Sequence, residues 1–204
     1  MNRFRFALLA VALLVVGLVA AASFASPLRH GKQAKTGLTI RWDNISLDFK
    51  TSPPTFNPGG VASALAADGT KITLTGSGTF GGLPKAVTGG GDWTTFDPSG
   101  AQSGSGTYKV VSLVSFIQAN FQSQTPLFTD KIGDTNKRAN GTAVLRIAYS
   151  DGSQGVLTVG CHGPGAPHGI FEGIATTKGF KTYYSVQAPA PGVDANRTIY
   201  HVGV

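Results

Sequence analysis

Glycine is the residue that most constrains the fold of this chain, because 28 of its 204 residues are glycine. Glycine weakens helices and supplies the backbone freedom that tight turns require. Of the ten acidic residues only Glu172 is a Glu, so a strong helix former is nearly missing. The composition therefore favours strands joined by tight turns. It predicts an all-β fold, an antiparallel barrel of about eight to ten strands, with a β-sandwich as the alternative.

Apolar and β-branched runs recur between turn signals along most of the chain. The segment 51–60 contains three prolines and two glycines, which predicts that it forms no regular structure. Residues 119–140 are the longest predicted irregular connection, and 188–196 is another. The predicted strands lie near 38–42, 45–50, 61–66, 71–80, 86–96, 104–117, 141–149, 154–161, 170–177, 180–187 and 197–202.

One predicted strand, 104–117, has an ambiguous hydrophobic pattern. Its lead-in Gly-Ser-Gly-Thr-Tyr favours a strand. Two overlapping sets of apolar residues fit this segment, one with the spacing of a strand and the other with the spacing of a helix. The strand set is Tyr108, Val110, Val114 and Phe116, and the helical set is Val110, Leu113, Val114, Ile117 and Phe121.

The first 25 residues have the order of an export signal. Arg3 and Arg5 supply a positive start, Phe6 to Ala22 is an uninterrupted apolar or small-residue run, and a Ser-Phe-Ala cleavage site ends at Ala25. We expect cleavage after Ala25. The alternative is retention as a membrane anchor, although such a run, as a helix, is about 26 Å long against a hydrocarbon core of roughly 30 Å.

Cleavage would divide the chain into a signal peptide at 1–25, a flexible leader at 26–36 and a single β domain at 37–204. The leader shows no hydrophobic period, which is typical of an unstructured connection. No second apolar run approaches the length of the first, so no membrane span is expected after cleavage. We therefore expect the protein to be secreted or otherwise extracytoplasmic.

The positive charge is scattered rather than concentrated. The formal net charge of +7 falls to +5 if Arg3 and Arg5 leave with the signal, and the only adjacent basic pair is Lys137-Arg138. A nucleic-acid groove gathers its cations on one face, so no nucleic-acid partner is expected. A mildly cationic surface is compatible with weak adhesion to anionic envelope polymers.

Cys161 is the only cysteine, which excludes an internal disulfide. A hairpin around Asp151-Gly152 decides where this cysteine points. A loop of three residues keeps the apolar side chains of both strands on one face, whereas a two-residue turn would split them. The face that results contains Leu145, Ile147, Tyr149, Leu157, Val159 and Cys161. Cys161 then faces the core, and Arg146 and His162 face away from it.

A second hairpin is predicted to turn at Lys178-Gly179, so that Thr177 pairs with Phe180. The more apolar of its two faces is expected to be the core face, and it contains Phe171, Ala175, Phe180, Tyr184 and Val186. Glu172 falls on the opposite, polar face. We expect it there as a solvated carboxylate near Lys181.

Four segments carry a resemblance to known proteins: GGGDW (89–93), GSGTY (104–108), SDGSQGVLTVGCH (150–162) and EGIATTKGFKTYY (172–184). They resemble a family of exported bacterial proteins without assigned activity, over most of residues 40–187. The sequences Gly-Asp-Trp at 91–93 and Gly-Thr-Tyr at 106–108 are more loosely similar to strand motifs of calycin barrels, the lipocalin- and avidin-like proteins. Allene oxide cyclase and dirigent barrels are comparable in architecture. These resemblances imply a β-barrel and transfer no catalytic residue.

The loop from Cys161 to Glu172 contains the best candidate for chemistry, the side chains of Cys161, His162, His168 and Glu172. Zinc prefers such ligands, and a cysteine beside a histidine can act as a nucleophile. However, the spacing matches no dense metal motif, and adjacent residues of a strand point to opposite faces. The serine-hydrolase motif G-x-S-x-G does not occur. We therefore predict no catalytic residue, no metal and no cofactor.

Aromatic residues in the predicted strands are the candidate ligand-binding set, as aromatic side chains often line small-molecule sites. The set is Trp42, Trp93, Phe96, Tyr108 and Phe116, with Phe80 beside them. The alternative is that these side chains only fill the barrel. Two function classes follow. We expect a secreted non-catalytic β-barrel that binds a small apolar ligand or an envelope component; the alternative is a secreted enzyme that uses the loop from Cys161 to Glu172.

Overall fold

Strands make up almost all of the regular structure in the computed structural model. It describes residues 37–82, 86–125, 127–186 and 196–204. These ranges contain fourteen strands and one 3-10 turn, Thr135–Lys137, and no α-helix. The prediction of an all-β fold is confirmed. The predicted signal peptide and leader, 1–25 and 26–36, lie outside the described residues, and in the part described no helix is long and apolar enough to cross a bilayer.

Eight antiparallel strands pair in a closed ring. Closure of a sheet on itself satisfies the backbone of every strand on both edges, and this removes free edges along the paired stretches. In ring order the strands are β3 (Val61–Ala66), β4 (Lys71–Thr75), β7 (Gly90–Phe96), β8 (Gln102–Phe121), β10 (Arg138–Tyr149), β11 (Gln154–Cys161), β12 (Gly173–Lys178) and β13 (Lys181–Val186).

A second sheet is attached to this ring. Its strands, in order, are β14 (Arg197–Val202), β1 (Thr39–Asp48), β5 (Ser77–Gly81) and β6 (Ala86–Val87). Further along, β1 also pairs with β2 (Thr55–Pro58), and β2 pairs in parallel with β9 (Thr129–Asp130). The sheet joins the ring at two places, through Arg138–Ala139 of β10 and through Gly90 of β7.

The main core is continuous between the ring and the second sheet. Phe116 of β8 shows the connection, since its ring centroid lies 5.1 Å from that of Phe80 in β5 and 5.0 Å from that of Tyr200 in β14. The Tyr200 hydroxyl reaches into the β10–β11 ladder, where it accepts the Ala143 N–H at 3.0 Å and donates to the Val159 carbonyl at 2.7 Å. The last described strand is thereby fixed to the ring.

A smaller apolar cluster lies on the other face of β1 and β14. It contains Ile45, Leu47, Phe56 and Ile199, with Phe128 and Ile132 packed against them. Ile199 and Tyr200 are adjacent in β14, and neighbouring strand residues point to opposite faces, so this cluster is separate from the main core. The connection between β8 and β10 covers it.

Several strand predictions need correction. The predicted strands at 71–80 and 86–96 each divide into two, β4 with β5 and β6 with β7, and the predicted irregular connection 119–140 contains the end of β8, β9 and the start of β10. Of the predicted connection 188–196, only Asn196 lies within the described residues.

The segment 51–60 is not free of regular structure, because β2 lies within it and pairs with β1 at the edge of the sheet, where proline is tolerated. The predicted strands at 38–42 and 45–50 form one strand, β1. The strand near 170–177 begins only at Gly173, whose φ of 108° is a conformation that favours glycine.

The hairpin of β10 and β11 is confirmed. Leu145 pairs with Leu157, and Ser150, Asp151 and Gly152 form the three-residue loop, closed by a 2.9 Å hydrogen bond from the Tyr149 N–H to the Ser153 carbonyl. All six predicted core residues are buried: Leu145, Ile147, Tyr149, Leu157, Val159 and Cys161. Arg146 and His162 are exposed, as expected.

The hairpin of β12 and β13 was predicted with the wrong register and the wrong core face. Lys178 pairs with Lys181, so the turn is Gly179-Phe180. Gly179 has a φ of 58°, which suits the first central position of a type II′ turn. The core receives Ile174, Thr176 and Tyr183, whereas Phe180 and Tyr184 point to solvent.

Candidate functional site

A groove of about 230 Å³ lies between the smaller apolar cluster and the loop that follows β11. One side is apolar and belongs to β1, β2, β14 and the β8–β10 connection. The other side is polar and comes mainly from the loop. The lining residues are Ile45, Leu47, Phe56, Gln122, Phe128, His162, Gly163, Pro164, Glu172, Arg197, Thr198 and Ile199.

Loop 162–172 reaches the groove because β11 ends at Cys161 and the chain then becomes rich in glycine and proline. The Gly163 N–H donates to Asn140 Oδ1 at 2.7 Å, and Ser123 donates its N–H to the Pro164 carbonyl at 2.9 Å. A Cβ at Gly163 would overlap the amide of Gln122. Glycine at this position therefore allows Gln122 to pack against the loop.

Glu172 binds two backbone groups from different parts of the chain, one at the start of its own loop and one in β14. Its carboxylate accepts the Thr198 N–H at 2.6 Å and the His162 N–H at 2.5 Å. This is not the solvated residue near Lys181 that was predicted, since Lys181 pairs instead with Asp68 at 2.7 Å. The reason is that β12 starts after Glu172, so this residue belongs to the loop and not to the hairpin.

Burial controls the charge of Glu172. Removal of the carboxyl from water raises its pKa to about 7, although the two backbone N–H groups and the nearby charge of Arg197 act in the opposite direction. Arg197 lines the same groove. A carboxyl with a pKa near neutrality can exchange a proton under physiological conditions.

Gln122 contributes a buried amide to the groove. Its side chain is only 6% exposed. The Nε2 atom lies 3.3 Å from Cys161 Sγ, and the Oε1 atom has no hydrogen-bond partner among the described residues. Buried polar atoms are rarely left unpaired, because each costs free energy comparable to a lost hydrogen bond. Because Gln122 lines the groove, an amide atom without a partner among the described residues lies in the groove wall.

His162 and Cys161 point in opposite directions, as the sequence predicts for adjacent residues. The Nδ1 atom of His162 lies 2.7 Å from the Ile170 carbonyl. A carbonyl only accepts, so Nδ1 is protonated, and Nε2 is an acceptor in the neutral ring. Cys161 is fully buried, and burial raises the pKa of its thiol well above the ordinary value. A thiol in that state is a poor nucleophile.

The structure does not assemble the four loop residues into a metal site. His168 is exposed and does not line the groove, whereas His162 and Glu172 do. Within the described ranges, no group of three or more His, Cys, Asp or Glu side chains is arranged to hold a metal ion.

The predicted aromatic set lies mostly in the main core, outside the groove. Trp42, Trp93, Tyr108 and Phe116 are buried, and Phe96 lies near the surface beneath Lys71, whose Nζ is 4.4 Å from its ring centroid. Three of them bind neighbouring groups. Trp93 donates to the Thr107 carbonyl at 3.1 Å, Tyr108 donates to the Thr75 carbonyl at 2.7 Å, and Phe116 packs on Tyr200. Their role in ligand binding stays a prediction.

Sequence reasoning did not find most of the groove. It missed Ile45, Leu47, Phe56, Gln122, Phe128, Arg197 and Ile199, which come from segments far apart in the chain. One signal was present in the 119–140 connection, where Phe128 and Ile132 are more apolar than a solvated loop requires, and both pack on the smaller apolar cluster. Such residues indicate that a connection covers a surface.

Comparison with known proteins adds no assignment: no family model, curated protein or solved structure matches the chain. The resemblance to exported bacterial barrels and to calycins stays a prediction that rests on the segments quoted above. The inference of function therefore depends on the geometry of the groove.

Proposed function

We propose that this protein is a non-catalytic, extracytoplasmic β-barrel that binds a small ligand or an envelope component, and that the groove beside Glu172 is the binding site. The observation that carries this proposal is the amide of Gln122, which lines a groove with an apolar side and whose Oε1 atom has no hydrogen-bond partner in the part of the chain that the structure describes. Ligand sites typically combine apolar walls with a few polar groups in fixed positions.

The packing of the main core favours the groove over the barrel interior. Trp93 and Tyr149 are in edge contact, with centroids 6.0 Å apart, and Tyr108 lies 6.3 Å from Tyr149. These rings occupy the interior of the ring of strands, as in small barrels whose centre is filled by side chains. The groove, in contrast, is open to a ligand without displacement of core residues.

The contacts of Glu172 and Cys161 favour binding over catalysis. Each oxygen of the Glu172 carboxylate accepts a backbone N–H, so the side chain joins the loop to β14. Cys161 is buried and its sulfur contacts Gln122. Neither residue is placed as a free nucleophile.

Export is proposed from residues 1–25 alone, since their order matches a signal peptide. Intact-mass measurement of protein recovered from the medium or periplasm should give a chain that begins at Ser26. A full-length, membrane-retained product would contradict cleavage and favour the anchor.

Binding in the groove is tested with 1-naphthylamine, a small, neutral, apolar fluorophore. We expect saturable binding, with NMR shifts at the amides of His162, Gly163 and Thr198. Phe128→Ala removes an apolar wall and should weaken binding roughly tenfold. Leu127→Ala is the matched control, because Leu127 is its neighbour and points to solvent. Equal affinities for both variants would place the probe elsewhere and contradict the proposal.

One observation favours the enzyme alternative, namely the pKa of about 7 that burial gives Glu172. Such a carboxyl is suited to general acid or base catalysis. Chromogenic esters and glycosides are the appropriate first substrates. Hydrolysis that is lost in Glu172→Gln and kept in His168→Ala would establish catalysis and overturn the non-catalytic proposal.

A further inference from the structure

We propose that the ligand of the groove is a neutral, hydroxyl-bearing ring of the size of one sugar unit, with its hydroxyls bound to Gln122 and Glu172 and its apolar face on the aromatic side. This inference rests on the proposed function, because it specifies what the same groove binds. It follows from the hydrogen-bonding capacity, the charge and the shape of the lining.

The amide of Gln122 selects for a hydroxyl. One end of this amide contacts Cys161 Sγ and the other end has no partner in the described part of the chain. The oxygen and nitrogen of a carboxamide are exchangeable by rotation, so the unpartnered end is an acceptor in one orientation and a donor in the other. A hydroxyl both donates and accepts, and it therefore satisfies this amide in either orientation.

The other polar groups of the groove also favour a ligand with hydroxyl groups. The carboxylate of Glu172 has about four acceptor positions; the N–H groups of His162 and Thr198 take two of them, the Thr198 hydroxyl lies 3.5 Å from Oε1, and at least one position remains. His162 offers Nε2 as an acceptor, and Arg197 supplies donors at the same groove. Adjacent donors and acceptors match the several hydroxyls of a polyol ring better than they match a single amine or carboxylate.

Charge favours a neutral ligand. Arg197 and Glu172 line the groove together, and their charges have opposite sign. A carboxylate ligand would be attracted to Arg197 but repelled by ionised Glu172. An ammonium ligand would be attracted to Glu172 but repelled by Arg197. A neutral ligand meets neither repulsion.

The apolar side of the groove is the reason why we propose a ring-shaped ligand. Phe56 and Phe128 stack with centroids 4.7 Å apart and an interplanar angle of 17°, and both line the groove. Stacking covers the faces that the two rings turn to each other, so contact with a ligand falls mainly to Phe128, which is only partly buried. An aromatic face is electron-rich and attracts the C–H groups that cover one face of a sugar. The volume of about 230 Å³ is below the range of drug-sized pockets, roughly 300–1,000 Å³, and suits a single ring.

The test compares ligands of equal ring size by NMR titration of the signal-free protein: methyl glucoside and inositol as polyols, cyclohexane carboxylate as the anion and cyclohexylammonium as the cation. We expect saturable shifts at the His162 and Thr198 amides with at least one polyol and weaker or no shifts with the charged rings. Gln122→Met should weaken polyol binding about five- to tenfold, the value of one hydrogen bond. Gln118→Met, on β8 and outside the groove lining, should not.

The source of the sugar is distinguished by an oligomer of four units. Equal affinity for the monomer and the oligomer indicates a free sugar, and tighter binding of the oligomer indicates an envelope polysaccharide.

Arg197→Ala gives a second readout if Gln122→Met does not fold, because Arg197 is exposed; it should weaken polyol binding several-fold. Preference for either charged ring, or binding of the naphthylamine probe without any polyol, would overturn this inference and leave the binding proposal intact. No shift with any of these molecules would contradict both.

Discussion

The Nε2 atom of His201 lies 3.0 Å from Oδ2 of Asp130, and both side chains are almost completely shielded from solvent. His201 belongs to β14 and Asp130 to β9, so this pair joins the connection that covers the smaller apolar cluster to the second sheet. Oδ1 of Asp130 also accepts the N–H groups of Ile132 and Gly133, at 2.9 and 3.1 Å. The connection is therefore held by directed bonds as well as by apolar packing.

Asp130→Asn should destabilise the protein at neutral pH by about 1–3 kcal/mol, because a buried acceptor of three hydrogen bonds is changed. Burial acts to raise the pKa of Asp130, but the bonds from His201, Ile132 and Gly133 outweigh it and the pKa is lowered. A carboxyl with a lowered folded-state pKa stabilises the fold above its unfolded pKa, and this stabilisation is lost as the pH falls through the folded value.

Urea unfolding at pH 7 and pH 3 measures this effect. The difference between the wild-type protein and Asp130→Asn should shrink at the lower pH. Asp134→Asn is the control, since Asp134 is exposed and Asn caps the following turn equally well. Equal stabilities of Asp130→Asn and the wild-type protein at pH 7 would show that the pair contributes nothing.

Glu172 should make the free energy of unfolding fall as the pH rises from about 4.5 to about 7. Its pKa is raised in the folded state, so the folded protein holds the proton more tightly than the unfolded chain does. At about 1.4 kcal/mol per pH unit, the loss over this interval is at most roughly 3 kcal/mol. Glu172→Gln should flatten the profile over this interval, and an unchanged slope in that variant would assign the pH dependence to another group.

Tyr200→Phe should cost about 2–4 kcal/mol, because it leaves the Ala143 N–H and the Val159 carbonyl unpaired in the core. Tyr184→Phe removes the same atom from an exposed tyrosine and should change the stability by less than about 0.5 kcal/mol. Thermal and urea denaturation of both variants give the comparison. Equal effects would mean that the Tyr200 hydroxyl does not replace ladder bonds between β10 and β11.

Cys161 should react slowly with a thiol reagent in the native protein and rapidly after unfolding. The side chain is fully buried, and burial raises the pKa of the thiol well above its ordinary value, so little thiolate is present or accessible. Labelling over time, in buffer and in denaturant, followed by mass spectrometry, measures both rates. Fast labelling of the native protein would reinstate Cys161 as a reactive residue.

The two hairpins show when a local hydrophobic pattern is sufficient to predict the register of a strand pair. In β10 and β11 one face is apolar and the other is polar, so only one register buries a consistent set. In β12 and β13 both faces carry large apolar residues, Ile174 and Tyr183 on one and Phe180 and Tyr184 on the other. The choice between them is made by β11 and β3, which flank the hairpin and are remote in sequence.

The ambiguity within 104–117 has a structural cause. The pairing of β8 with β10 shifts register at three places, leaving Val111, Val114 and Ala119 without a partner residue. Each such bulge inserts one residue and turns a spacing of two into a spacing of three. Val110, Leu113 and Phe116 therefore all face the core in an extended strand, with the spacing of a helix. The candidate site was even harder to predict from the sequence, because Gln122 and Arg197 come together there only in the tertiary fold.

The bulges of β8 also interrupt an edge of the sheet. From Val111 to Phe121 no described residue pairs with the second edge of this strand, and the sequence from Val110 to Thr129 contains no charged residue. A straight edge of this kind attracts strands from other molecules and leads to aggregation. The bulges bend β8, so an incoming straight strand can match its hydrogen-bonding groups for only a few residues. We therefore expect the bulges to hinder edge-to-edge pairing here, as a charged edge residue does in other sheets.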